Sequence, residues 1–168
     1  MSLAYNEIVV AILDYNGTDL SLMAVGTHSV EFPLESGSHV EITAADFDYD
    51  NNTEIVLALK YLYYFRYNYT SNNITYIDRL TIEGDLFEFG GDITLLAEDA
   101  DMDFRTDLLV TIQEYSRVSI YMIKLGSSNT IGYRKISMET GVGGADIFSN
   151  LCVGDFDNDN YKEIVLAY

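Results

Sequence analysis

The chain is short of the residues that build most catalytic and thiolate centres. Of its 168 residues one is cysteine, two are histidine, one is proline and none is tryptophan. A single cysteine excludes an intramolecular disulfide and a cysteine-based zinc site. Cys152 stands in the apolar run Leu151-Cys152-Val153, which predicts a buried, inert thiol. His28 and His39 are too few for a histidine-rich metal site. No Gly-x-Ser-x-Gly segment is present, so nucleophile–base hydrolysis has no support. Acid pairs suited to glycoside hydrolysis are most evident in loops that a cation would claim. The expectation is a protein that is not an enzyme. Positive charge is scarce too: 9 Lys and Arg face 27 Asp and Glu, leaving a net charge of -18. A polyanion gains nothing by displacing cations from phosphates, so nucleic acid and acidic membrane surfaces are unfit partners. No apolar run approaches the ~18 residues of a membrane span.

What the chain has is apolar and aromatic. Hydrophobic residues make up 48%, aromatics 13%, and 14 residues are Tyr. Tyr and β-branched residues suit pleated, half-buried strands. Three segments align without gaps: ADFDYDNNTEIVLAL from Ala45, EDADMDFRTDLLVTI from Glu98 and GDFDNDNYKEIVLAY from Gly154. A partial copy, Asn6-Glu7-Ile8-Val9-Val10-Ala11, matches the second half of the motif. A period of about 50 residues fits a four-stranded β-propeller blade better than a helical pair.

The predicted fold is therefore all-β, a β-propeller array of about three four-stranded antiparallel blades, either a fragment of a larger propeller or assembling into one. The expected divisions are a part-blade over 1–39, blades over 40–91 and 92–145, and a part-blade over 146–168. The alternating stretch 40–44 leads into the first acidic loop. One buried strand is predicted over 54–64, a turn at Asn72-Asn73 and a strand over 74–82. Strands over 107–113, 118–125 and 131–138 repeat the scheme. Asp14-Tyr15-Asn16-Gly17 predicts a tight hairpin with a primed turn. No helix is required.

Each loop reads Asp-x-Asp-x-Asp-x-x-x-Asp/Glu. The acids are Asp46, Asp48, Asp50 and Glu54; then Asp99, Asp101, Asp103 and Asp107; then Asp155, Asp157, Asp159 and Glu163. Like charges this close repel, and a hard divalent cation resolves the repulsion. Calcium takes 6–8 oxygens at ~2.3–2.6 Å and tolerates irregular loops; magnesium, which wants a stricter octahedron, is the second choice. Acids at positions one, three and five can wrap one ion, and the acid at nine closes the far side. The main-chain carbonyl at position seven, Asn52, Arg105 or Tyr161, adds an oxygen. An EF-hand or dockerin loop fits poorly, because position twelve is Leu57, Val110 or Leu166 and a strand follows.

These residues resemble FG-GAP or VCBS repeats, as in the propeller of integrin α-subunits. The family's hallmark is similar to the stretch from Gly154 to Leu166. The resemblance covers nearly all of the chain and implies calcium at the matching acids, in a loop joining a blade's first and second strands. Departures are Asn51, Phe104 and Asn160 where the family usually has Gly, Ala100 where it has Phe, and only faint echoes of the naming signature at Phe89-Gly90-Gly91 and Gly143-Gly144-Ala145. The middle loop departs most.

The expected function is a calcium-binding, extracellular or cell-surface module for protein or glycan binding and adhesion. The alternative is a non-catalytic structural segment of a larger secreted enzyme or toxin. A third reading is a sugar binder using the aromatic cluster Tyr61, Tyr63, Tyr64, Phe65, Tyr67 and Tyr69, although core packing is the plainer account. Gly141-Val142-Gly143-Gly144 reads as a connection, because no Lys-Ser/Thr follows it. Four Asn-x-Thr sites, at Asn16, Asn51, Asn68 and Asn73, permit a secreted glycoprotein. Part-blades at both ends predict self-association or completion by further blades.

Overall fold

A computed structural model describes residues 6–30, 40–82, 85–86, 93–114, 117–127, 130–139 and 150–167. Two hairpins flank two four-stranded meanders. The first hairpin pairs β1 (Asn6–Tyr15) with β2 (Leu20–Val30). The first meander runs β3 (Glu41–Ala45), β4 (Thr53–Ala58), β5 (Leu62–Asn68) and β6 (Asn73–Arg79), neighbours in that order. A short ladder joins β7 (Thr81–Ile82) to β8 (Asp85–Leu86). The second meander runs β9 (Ile93–Glu98), β10 (Asp107–Glu114), β11 (Arg117–Leu125) and β12 (Thr130–Glu139). The last hairpin pairs β13 (Asn150–Gly154) with β14 (Glu163–Ala167). Every pairing is antiparallel, and the described residues contain no helix.

The sheets pack face to face, because successive strand residues point to opposite faces. On β4, Ile55 and Leu57 join Ile8, Val10 and Ala24 of the first hairpin, while Val56 and Ala58 face the second meander. On β10, Leu108, Val110 and Ile112 meet that same inter-meander core, and Leu109 packs with Leu151 of the last hairpin. Burying each such side chain stabilises by roughly 1.5–3 kcal/mol. The second strand of each meander is covered on both faces, so its sequence is a continuous apolar run and not an alternation. Glycine is required at one close approach: a Cβ on Gly26 of β2 would lie 2.6 Å from Cγ2 of Ile74 on β6.

Several expectations need correction. The single strand over 54–64 is two strands, β4 and β5, with the Leu59 N–H donating to the Tyr61 carbonyl at 3.1 Å in the turn between them. Both strands are buried, and Leu59-Lys60-Tyr61 lacks the Gly, Pro, Asn or Asp that marks most turns. The strand over 74–82 breaks at Leu80, which is buried and donates its N–H to the Leu62 carbonyl at 2.9 Å. The first hairpin closes through Asn16–Asp19, with Tyr15 opposite Leu20, and not through a two-residue primed turn. Gly17 takes φ 96°, and the Asn16 side-chain oxygen accepts from the N–H groups of Thr18 and Asp19, both at 3.0 Å. Cys152 is exposed, not buried, because it lies on the face of β13 opposite the packed Leu151. In the aromatic cluster Tyr63, Tyr64 and Phe65 are buried core residues and only Tyr69 is well exposed. His39, the stretch at 89–91 and the glycines at 141–144 lie outside the described residues.

Candidate metal centres

The three acidic loops occupy equivalent places. Each joins the first strand of a sheet to the second: β3 to β4, β9 to β10, and β13 to β14. The acids organise the backbone in the same way each time. The position-nine acid reaches back to the position-two N–H: Phe47 N to Glu54 Oε2 at 2.9 Å, Ala100 N to Asp107 Oδ2 at 3.1 Å, Phe156 N to Glu163 Oε2 at 2.8 Å. The position-one acid accepts the position-six N–H: Asn51 to Asp46 at 3.1 Å, Phe104 to Asp99 at 3.0 Å, Asn160 to Asp155 at 3.1 Å. The position-seven N–H donates to the position-five acid: Asn52 to Asp50 at 2.8 Å, Arg105 to Asp103 at 3.0 Å, Tyr161 to Asp159 at 2.7 Å. Charge-assisted bonds of this kind are about twice as strong as neutral ones and hold the loop closed.

The closure demands left-handed backbone. Position six takes φ 63° at Asn51, 67° at Phe104 and 71° at Asn160. Position four does the same, with φ 64° at Tyr49, 60° at Met102 and 60° at Asn158. Phe104 therefore adopts the same turn as the two asparagines, and the middle loop keeps its shape despite the bulky residue. The second left-handed position was not anticipated from the sequence.

Carboxylate oxygens converge within 4.8 Å in each loop: Asp46, Asp48 and Asp50; Asp99, Asp101 and Asp107; Asp155, Asp157 and Glu163. These clusters could hold a metal ion. Glu54, Asp103 and Asp159 stand outside the respective clusters and serve the loop through the bonds above. The position-seven side chains differ: the Asn52 amide donates to Asp50 of the first cluster at 2.9 Å, Arg105 lies over the Tyr49 ring at 5.4 Å, and Tyr161 is exposed.

Two residues that the motif did not single out enter the centres. Arg66 on β5 pairs in register with Glu54 and reaches Asp48 at 2.6 Å, Glu54 at 3.2 Å and Asp50 at 3.6 Å. Lys124 on β11, one step beyond the Leu108–Ile123 pair, reaches Asp103 at 2.5 Å, Asp101 at 3.1 Å and Asp107 at 3.6 Å. The sequence did carry a signal, a basic residue, Arg66 or Lys124, near the end of each of two apolar or aromatic strands, LYYFRYN and RVSIYMIKL. Lys162, inside the third loop, turns away from it and bonds Glu98 at 2.6 Å and the Asp99 carbonyl at 2.9 Å. Among the described residues no cationic side chain pairs with the acids of the third loop.

Burial sets the electrostatics. Glu54 and Asp107 are 0% exposed. Desolvation lifts the pKa of Glu54, Asp48 and Asp107 above the ordinary carboxylate range, with Arg66 or Lys124 pulling back. The Asn52 N–H lowers Asp50, and the Lys124 ammonium lowers Asp103. Asp46 Oδ1 and Asp107 Oδ1 are buried without a hydrogen-bond partner. Buried oxygens with spare lone pairs suit a hard cation, which supplies the missing charge and ligand contacts together. All-oxygen donors suit calcium or magnesium and not zinc. No protein-family model, curated protein or solved structure matches the chain.

Proposed function

We propose that this chain is a calcium-binding β-repeat module of the FG-GAP/VCBS kind, with its meanders as propeller blades and a binding or scaffold role in place of catalysis. The observation that carries the proposal is the threefold recurrence of one acidic loop, with the same internal bonding, at the turn between the first and second strands of successive sheets. The blade reading draws support from the face-to-face stacking and from the adjacency of the first strands β3, β9 and β13. Calcium loops of extracellular modules bind at ~10⁻⁴–10⁻³ M, which suits an extracellular or cell-surface setting. There the module presents a rigid surface to a protein or carbohydrate.

A second reading, a structural segment that associates with further blades, draws on the outer face of the first hairpin. Val9, Leu13, Leu22 and Val25 are all exposed there. Covering that face with another sheet would remove apolar surface from water. Light scattering in calcium tests it; a monodisperse monomer would count against association between copies.

The metal proposal is tested by melting the protein in calcium and in EDTA. A ligand that binds only the folded state stabilises it by mass action, here by about 1–2 kcal/mol per site at ~5 mM calcium. Calorimetry should find bound calcium, with magnesium weaker. Neither heat nor a thermal shift at millimolar calcium would reject the proposal.

A further inference from the structure

We propose that Arg66 and Lys124 are tethered counter-cations that occupy the metal seats of the first two loops and weaken calcium binding there. This inference rests on the calcium reading above and concerns which residues set its affinity.

The two cations come from unrelated strand sequences and yet stand at the same place, across the strand pair from the position-nine acid. Each reaches three carboxylates of its own loop within 3.6 Å. Calcium would need oxygens of those same carboxylates at ~2.3–2.6 Å. An ammonium nitrogen 2.5 Å from Asp103 and 3.1 Å from Asp101 fills the space that such an ion would take. The metal must therefore displace the side chain and break its charge-assisted bonds before binding. The Arg66 guanidinium is held further by the Ser127 carbonyl at 3.2 Å, across the boundary between the two meanders.

The tethered charge does only part of a metal's work. Lys124 Nζ lies 3.6 Å from Asp107 Oδ1, beyond hydrogen-bond reach, and that oxygen stays buried without a donor. A monovalent group with fixed reach offsets only one of the loop's four negative charges and leaves ligand capacity unused. The third loop differs, because its own lysine, Lys162, is committed to Glu98 and the Asp99 carbonyl of the second loop. Its Asp155, Asp157 and Glu163 converge with no described cation between them. The first two loops are thus held in reserve by their own counter-ions.

The test is calcium calorimetry on the full chain and on Arg66→Met, Lys124→Met and Asp157→Ala, with melting in EDTA and in calcium alongside. Asp157→Ala, which touches neither counter-cation, should remove only the third loop's share of the binding. Lys124→Met should strengthen calcium binding at the second loop by about tenfold or more, since a hydrogen bond to a charged group is worth at least that factor. It should also melt lower in EDTA and recover in calcium, a change in opposite directions that a merely structural lysine would not produce. Lys124→Gln, which keeps polar contacts without the charge, gives the same reading if the Met variant does not fold. Calcium binding unchanged by Arg66→Met and by either Lys124 variant overturns the counter-cation role and leaves the calcium reading standing. Absence of calcium binding in all of the proteins overturns both.

Discussion

The first and third acidic loops share a motif and a bonding pattern but differ in what surrounds them. In the first, Glu54 is fully buried and pairs with Arg66 from the adjacent strand. In the third, Glu163 is only half-buried and no described cation faces it. The loop as a piece of chain is thus the same device in both, and in the first the next strand of the sheet supplies a cation that offsets part of its charge. The middle loop belongs with the first, with Asp107 in place of Glu54 and Lys124 in place of Arg66.

The largest effect should separate the two position-nine acids. Glu54→Ala removes a buried carboxylate that accepts from the Phe47 N–H and pairs with Arg66, and should cost about 3 kcal/mol. Glu163→Ala removes a half-exposed group and its bond from the Phe156 N–H, and should cost about 1 kcal/mol. Urea unfolding measures both, and equal losses would erase the distinction between the loops.

Calcium should sharpen the contrast. The calcium-dependent stabilisation of about 1–2 kcal/mol per site should rise in Arg66→Met and fall in Asp48→Ala and in Asp157→Ala, once each is compared with itself in EDTA. No gain in Arg66→Met would leave the first loop no different from the third.

A change in pH should act with opposite signs in the two states. Without metal, Glu54, Asp48 and Asp107 are held above their ordinary values by burial, so the folded chain binds more protons than the unfolded one. Stability in EDTA should then rise as the pH falls from neutrality toward the ordinary carboxylate range near about 4. Asp50 and Asp103 are lowered by hydrogen bonds, first from the Asn52 N–H and from Lys124 respectively, and oppose the trend, but both are solvent-exposed and screened. In calcium the bound ion requires ionised carboxylates, and acid should release it and lower stability. Melting curves across that range, with and without calcium, measure the two slopes, and slopes of the same sign would count against a metal at these groups.

The smallest effect concerns backbone strain. Phe104 is 85% exposed and held at φ 67°, so its ring contributes little packing while its Cβ opposes the turn. Phe104→Gly should stabilise the chain by about 1 kcal/mol. Asn160→Gly, at φ 71°, should change stability by only a few tenths, near zero, because asparagine already tolerates that conformation. Thermal denaturation in EDTA compares them.

Much of this was legible in the residues alone. Acids at fixed offsets followed by Ile-Val-Leu or Leu-Leu-Val placed three loops at equivalent strand connections, because a turn motif and the strand after it are both local. The strands of the second meander were also visible, since Val118 to Leu125 and Ile131 to Met138 are separated by polar residues. The β4–β5 break was hidden because Ile55–Ala58 and Leu62–Phe65 are all buried, and a strand covered on both faces carries no alternation to mark its end. The exposure of Cys152 was hidden for a related reason: an apolar triplet says that a strand is present, not which of its faces is packed.

The sequence by itself determined the all-β class and the recurrence of the acidic loops, because each depends on residues a few positions apart. Only the tertiary structure decided what answers the negative charge. Arg66 and Lys124 are brought to Glu54 and Asp107 by antiparallel register across a neighbouring strand, and Lys162 is drawn away from its own loop by an acid in another sheet. Coulomb forces act through space, so the partner of a carboxylate is set by pairing and packing and not by nearness in the chain.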